Sequence, residues 1–82
     1  MVLNYVEVYF EMTLNKINKG QEFKIESIME KSIREQAIRL GIFEGIIVKC
    51  SHKLPCGPII LKTGLQEIAI GRKLAKKIIV SI

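Results

Sequence analysis

Six glycines divide the chain into short segments, and this division is the sequence feature that most limits the fold. They fall singly rather than in tracts, at positions 20, 41, 45, 57, 64 and 71. Such spacing favours short strands and one brief helix over a helical bundle or a strand-helix-strand unit. With 82 residues, the chain is expected to form a single domain, residues 1–82, around one core.

The composition supports a dense apolar core without disulfides. Hydrophobic residues make up 49% of the chain and include fifteen isoleucines, a β-branched excess that favours strands. The apolar runs are far shorter than the roughly 18 residues of a membrane-spanning helix, and the N-terminus lacks a signal-peptide pattern. We therefore predict a cytoplasmic protein with no transmembrane segment and with reduced thiols at Cys50 and Cys56.

Alternating apolar residues predict strands, and Gly, Pro and polar residues predict the turns between them. Both prolines lie in the bend 54–58, where their missing backbone donors oppose strand pairing. The remaining predicted elements are a strand over 2–12, a helical turn over 13–19 closed by Gly20, strands over 22–29 and 46–53, a hairpin of 58–62 with 66–70, a helical turn over 72–77 and a strand over 78–82.

One short helix is predicted over residues 32–40. Ser32 and Glu35 fit the capping box, in which the Ser hydroxyl and the Glu carboxylate each accept from the other residue's backbone N–H. Ile33, Ala37 and Leu40 form an apolar stripe, and Gly41 is placed to end the helix in the left-handed conformation. Together these elements predict a mainly β fold, a small SH3-like barrel of five or six short strands, with an open α+β sheet as the alternative.

The residue set does not favour an enzyme. The chain has one His and no Asp, so a Ser-His-Asp triad cannot form within it, and no glycine-rich phosphate loop occurs. Cys50, His52 and Cys56 are the only clustered soft ligands, and alternation along a strand places Cys50 and His52 on one face. Two interpretations stay open. In the first, Cys50 is a buried structural residue, and His52 and Cys56 lie in a loop. In the second, the three residues bind a divalent transition metal such as Fe²⁺ or Zn²⁺, although a structural zinc site needs a fourth ligand.

The net charge of +5 is unevenly distributed, because residues 45–82 carry +6 whereas residues 1–44 carry −1. The candidate partner-binding residues are Lys53, Arg72, Lys73, Lys76 and Lys77, and the segments 51–57 and 72–77 are the candidate recognition surfaces. An acidic protein or the anionic inner face of the membrane suits this charge. Nucleic acid is disfavoured because all five aromatic residues precede position 45, which leaves the basic half without stacking groups.

The N-terminal strand predicted at residues 2–12 offers a further interaction surface. Its apolar residues alternate with Tyr5, Glu7, Tyr9 and Glu11. A strand of this kind at the edge of a sheet can pair with a second copy of the chain, so a homo-oligomer through this segment is a candidate assembly.

From Leu14 onwards, the order of features resembles the FeoA family of ferrous iron uptake and the related SH3-like domain of iron-dependent regulators of the diphtheria toxin repressor type. The matching pieces are Leu14 and Ile17 before Gly20, Arg39-Leu40-Gly41-Ile42 with Glu44-Gly45, Gly57-Pro58-Ile59, and Ile68-Ala69-Ile70 followed by Ala75, Ile78 and Val80. In this alignment residues 13–82 are the family core and residues 1–12 an N-terminal extension.

The resemblance implies a function in iron transport. It implies a cytosolic accessory module that contacts the cytosolic part of the membrane ferrous iron transporter FeoB, without catalysis. The chain has no space for the DNA-binding domain of the regulators. The family pattern supplies no metal motif for Cys50, His52 or Cys56, so a metal sensor or chaperone built on those residues remains the alternative function, and a nucleic-acid-binding barrel the less favoured one.

Overall fold

The fold is seen in a computed structural model that describes residues 10–82. Six strands, two helices and a 3₁₀ turn follow one another along the chain. Their bounds are β1 Glu11–Thr13, the 3₁₀ turn Leu14–Lys16, β2 Glu22–Ile28, α1 Lys31–Arg39, β3 Ile47–Lys53, β4 Ile59–Thr63, β5 Gln66–Ile70, α2 Arg72–Ala75 and β6 Ile78–Ser81. The predicted strand over 2–12 lies largely outside the described residues, and β1 is the described part of that region.

All six strands form one antiparallel sheet in the order β1-β6-β2-β3-β4-β5. The predicted mainly β, small SH3-like fold is thereby confirmed. Within residues 10–82, the sheet is not closed, since no ladder joins β1 to β5. None of the helices in that range is long and apolar enough to span a membrane.

The core contains the inward-facing residues of the strands together with side chains from the turns. Phe23 and Ile25 of β2, Leu61 of β4 and Ile70 of β5 are buried, and their neighbours along each strand face outward. Leu14 and Ile17 from the 3₁₀ turn are fully buried as well. The isoleucine excess thus appears as a core of β-branched side chains on pleated strands, the environment in which such residues pack well.

Helix α1 ends as predicted but begins differently. The Gly41 N–H donates to the Ile38 carbonyl and the Ile42 N–H to the Ala37 carbonyl, the two bonds of a Schellman motif, with Gly41 at φ +91°. The predicted capping box at Ser32 is wrong: the helix starts at Lys31, its N-cap is Glu30, and no side chain caps it. The Met29 N–H donates to the Lys77 carbonyl, so a tertiary contact fixes the chain just before the helix.

A β-bulge in β3 overturns a second prediction. Cys50 pairs with Leu61 of β4 whereas His52 pairs with Ile60, so Ser51 is the extra residue on its strand. An extra residue shifts the alternation by one, and Cys50 and His52 therefore lie on opposite faces of the sheet rather than on one. Cys50 is buried with the core, and His52 is exposed.

Candidate functional site

Arg72, the first residue of α2, holds the loop between β3 and β4. Its guanidinium donates from Nε to the Gly57 carbonyl (2.9 Å) and from Nη2 to the Leu54 carbonyl (2.8 Å). A planar guanidinium suits this two-point contact, and a lysine would not reproduce it. The two segments predicted as recognition surfaces, 51–57 and 72–77, are thus joined into one surface by a single side chain.

The loop that Arg72 holds is a tight turn with an unusual residue in it. The Gly57 N–H donates to the Leu54 carbonyl (3.1 Å), with Pro55 and Cys56 between them. Cys56 has φ +55°, the left-handed region that L side chains rarely adopt. Pro followed by a residue of positive φ is the pattern of a type II turn, whose third position normally holds Gly or Asn. Cys56 is exposed there.

The lysines of the cluster have different surroundings. Lys77 Nζ lies 3.0 Å from Glu30 Oε2, and both side chains are about half exposed, so the pair adds little stability. Lys73 and Lys76 are exposed and have no ion-pair partner among residues 10–82. Lys53 is half-buried on β3. Two exposed lysines without ion-pair partners in residues 10–82 thus lie on α2 and just after it, and Lys24, Lys49 and Lys62 are exposed and unpaired on the sheet in the same range.

A groove of about 680 Å³ runs between α1, α2 and the end of β5. Its lining is mostly apolar, from Ile33 and Leu40 of α1, Ala69 of β5 and Leu74 of α2. Lys73, Lys76 and Lys77 complete its wall. We call this the lysine groove; it places an apolar surface directly beside the unpaired lysines.

Cys50, His52 and Cys56 are not brought together. Burial raises the pKa of the Cys50 thiol, with a smaller opposing effect from the Lys53 ammonium, and the thiol donates to the His52 carbonyl (3.5 Å). A buried, protonated thiol is a poor metal ligand, because thiolate is the binding form. No group of three or more His, Cys, Asp or Glu side chains suited to a metal ion occurs in the described part of the chain.

The family model described as the FeoA domain matches residues 12–82. The chain belongs to the FeoA domain family. Comparison with curated proteins finds no match.

Solved structures of FeoA proteins share this fold. A crystal structure of an iron uptake regulatory protein (FeoA) is 24% identical, covering 89% of this chain and all of its own, with a TM-score of 0.81. An NMR structure of a FeoA-like protein from Clostridium acetobutylicum is 25% identical, covering 85% of this chain and 84% of its own (TM-score 0.75). An NMR structure of FeoA from Chlorobium tepidum is 26% identical, covering 87% of this chain and 70% of its own (TM-score 0.74).

The lysine groove of this FeoA-domain protein was not predicted from the sequence. Leu40 was predicted to belong to the apolar stripe of α1 that packs on the sheet, yet Leu40 is 37% exposed and faces the groove. Arg72 was predicted to be one more partner-binding charge, although the side chain is used to hold a loop. The signal that was available is the segment Lys73-Leu74-Ala75-Lys76, in which two apolar residues lie between two lysines.

Proposed function

We propose that this protein is a non-enzymatic, cytoplasmic accessory of ferrous iron uptake that docks on the cytosolic part of the FeoB transporter. The observation that carries the proposal is the FeoA-domain match over residues 12–82. Solved structures of a FeoA-like protein and of a FeoA protein, 25% and 26% identical to this chain, share its fold and support the same assignment. The protein then acts by binding, as a scaffold or an allosteric regulator of the transporter.

The surface chemistry supports docking on a protein with acidic groups. Arg72 orders the loop 54–57 next to α2, so the candidate surface is preorganised and loses little conformational freedom on binding. Lys73 and Lys76 project from α2 without intrachain ion pairs in residues 10–82. Unpaired charges at the border of an interface raise the association rate and select partners of opposite sign.

Direct metal binding is not part of the proposal. The bulge at Ser51 separates Cys50 from His52, and Cys50 is buried while Cys56 is exposed. A site built on the three residues would require Cys50 to leave the core and the β3–β4 pairing to change.

Calorimetric titration of the full chain with the purified cytosolic part of the transporter tests the proposal. We expect saturable binding that weakens as salt concentration rises, since surface charges are screened. Lys73→Glu/Lys76→Glu is expected to weaken binding, whereas Lys24→Glu/Lys62→Glu, with the same change in net charge on exposed sheet residues, leaves it nearly unchanged. Absence of binding at low salt, with the folded state verified by NMR, would contradict the proposal.

A further inference from the structure

The geometry points to an occupant for the lysine groove: an acidic amphipathic segment of a protein partner, its apolar side chains in the groove and its carboxylates on the lysines. This inference deepens the proposed function and rests on it, because it assigns the chemistry of the segment that the transporter would present. It concerns the groove between α1 and α2 rather than the whole basic half of the chain.

The apolar part of the groove is contributed by three separate elements. Ile33 and Leu74 pack partly against the core and are incompletely buried, and Leu40 keeps 37% of its surface exposed. Ala69 lies between them with a small side chain and leaves the groove open. Apolar surface that is concave and continuous across several elements is typical of grooves that receive apolar anchors from a peptide.

The charge of the groove selects the sign of the occupant. Three lysines line it together with the neutral Gln36, and among residues 10–82 no carboxylate belongs to its lining. Lys77 is paired with Glu30, but Lys73 and Lys76 have no such partner in the described residues. A neutral apolar segment would leave this charge uncompensated, and a basic one would be repelled, so complementarity favours glutamates or aspartates beside the apolar anchors.

The two walls of the groove are fixed to each other before any partner arrives. The Met29 N–H donates to the Lys77 carbonyl (3.0 Å), and Lys77 Nζ contacts the Glu30 carboxylate, so the end of α2 is tied to the start of α1. Ala75, in the middle of this region, is fully buried. A groove with fixed walls favours one ligand shape and lowers the entropic cost of binding.

An anionic membrane is the competing occupant for a basic surface, and the shape of the groove argues against it. Peripheral membrane binding uses apolar side chains that project beyond the basic residues into the headgroup region. Here the apolar residues line a concave groove together with the lysines, rather than projecting beyond them as a ridge. Such a surface fits a ridge on another protein better than a lipid bilayer.

Binding of two synthetic peptides to the full chain tests the inference. One peptide carries leucines on one face and glutamates on the other, and the second has every glutamate replaced by lysine. We expect the acidic peptide to bind with amide shifts at Leu40, Ala69 and Leu74, and the basic one not to bind. Lys73→Glu/Lys76→Glu should weaken acidic-peptide binding by about tenfold, and Lys24→Glu/Lys62→Glu by less than about twofold. Leu40→Ser tests the apolar part without altering charge.

Three results would overturn the inference: equal weakening by both charge-reversal variants, amide shifts outside the groove, or binding to phosphatidylglycerol vesicles in place of the acidic peptide. The same variants titrated with the cytosolic part of the transporter separate the two proposals. If the transporter binds wild type and Lys73→Glu/Lys76→Glu equally, the groove assignment fails and the proposed function stands. If the acidic peptide binds at the groove but the transporter does not bind, the groove assignment stands and the proposed function fails.

Discussion

Two cysteines six positions apart have opposite surroundings, and each gives a prediction at the scale of a single residue. Cys56 lies in an exposed turn at φ +55°, and Cys50 is fully buried on β3, opposite Leu61 of β4. The difference arises from the bulge at Ser51 and the turn that follows it, not from the residue type. It determines which thiol reacts with solvent reagents and which one contributes to the core.

Replacing Cys56 by Gly is expected to stabilise the protein. Glycine adopts positive φ without the steric cost that an L side chain has there, so we expect the free energy of unfolding to rise by about 0.5–1 kcal/mol. Urea denaturation under reducing conditions measures the change. Cys56→Ala keeps the unfavourable φ and serves as the matched control. A stability of Cys56→Gly at or below that of Cys56→Ala would contradict the assigned backbone conformation.

Cys50 is expected to make stability fall at alkaline pH. Because burial raises the pKa of its thiol, the folded state keeps the proton at pH values where the unfolded chain has lost it. The resulting stabilisation is fully present below the ordinary thiol pKa, near 8.5, and is lost as pH rises through the raised pKa. Wild type should therefore lose stability more steeply than Cys50→Ala above about pH 8.5, as measured by urea denaturation.

Parallel pH profiles for Cys50→Ala and wild type isolate this thiol, since every other ionisable group is common to both proteins. Iodoacetamide labelling provides an independent check near neutral pH, where Cys56 should react and Cys50 should stay protected until the chain unfolds. Equal labelling of both thiols in the folded protein would show that Cys50 is accessible.

At the scale of elements, the most consequential contact is the one between α2 and the loop joining β3 to β4. We expect Arg72→Ala to lower the free energy of unfolding by about 2 kcal/mol, because two hydrogen bonds from a charged donor are lost. Lys73→Ala, at the next and exposed position, should change it by less than about 0.5 kcal/mol. Thermal or urea denaturation measures both.

Hydrogen exchange shows where the effect of Arg72→Ala lies. Exchange of the Gly57 amide, which closes the turn onto Leu54, should accelerate in the variant, while that of the β2 amides should not. Unchanged exchange at Gly57 would mean that the turn holds its shape without the guanidinium.

The local elements and the end of α1 could be predicted from the sequence, but the start of α1 and the bulge in β3 could not. Alternation located five of the strands, and Gly41 located the end of α1 because a Schellman motif is encoded within a few residues. The start of α1 depends on the contact of Met29 with Lys77, which lies far along the chain and has no local signature. In residues 49–53 the sequence pattern is that of a regular strand whose side chains alternate between two faces, so nothing in it marks Ser51 as the extra residue.

At the scale of the whole molecule, the tertiary fold creates a surface that no single segment shows. The candidate partner-binding lysines at 73, 76 and 77 were visible in the sequence, but the groove also needs Ile33 and Leu40 from a helix some forty residues earlier. Only the docking of α1 and α2 places these apolar side chains beside the charges. The candidate metal residues at 50, 52 and 56 are likewise close in sequence, but the bulge puts Cys50 and His52 on opposite faces of the sheet.

Mapping the contact surface on the protein tests most directly whether it docks on the transporter through the lysine groove and the adjoining loop. In this measurement, backbone amide shifts of the full, reduced chain are followed during titration with the cytosolic part of the ferrous iron transporter. We predict that the shifts concentrate on α1, α2 and the loop 54–57, and that they diminish at high salt. The absence of shifts would contradict docking at this surface. So would shifts confined to exposed residues on the sheet away from the groove, namely Glu22, Lys49 and Lys62.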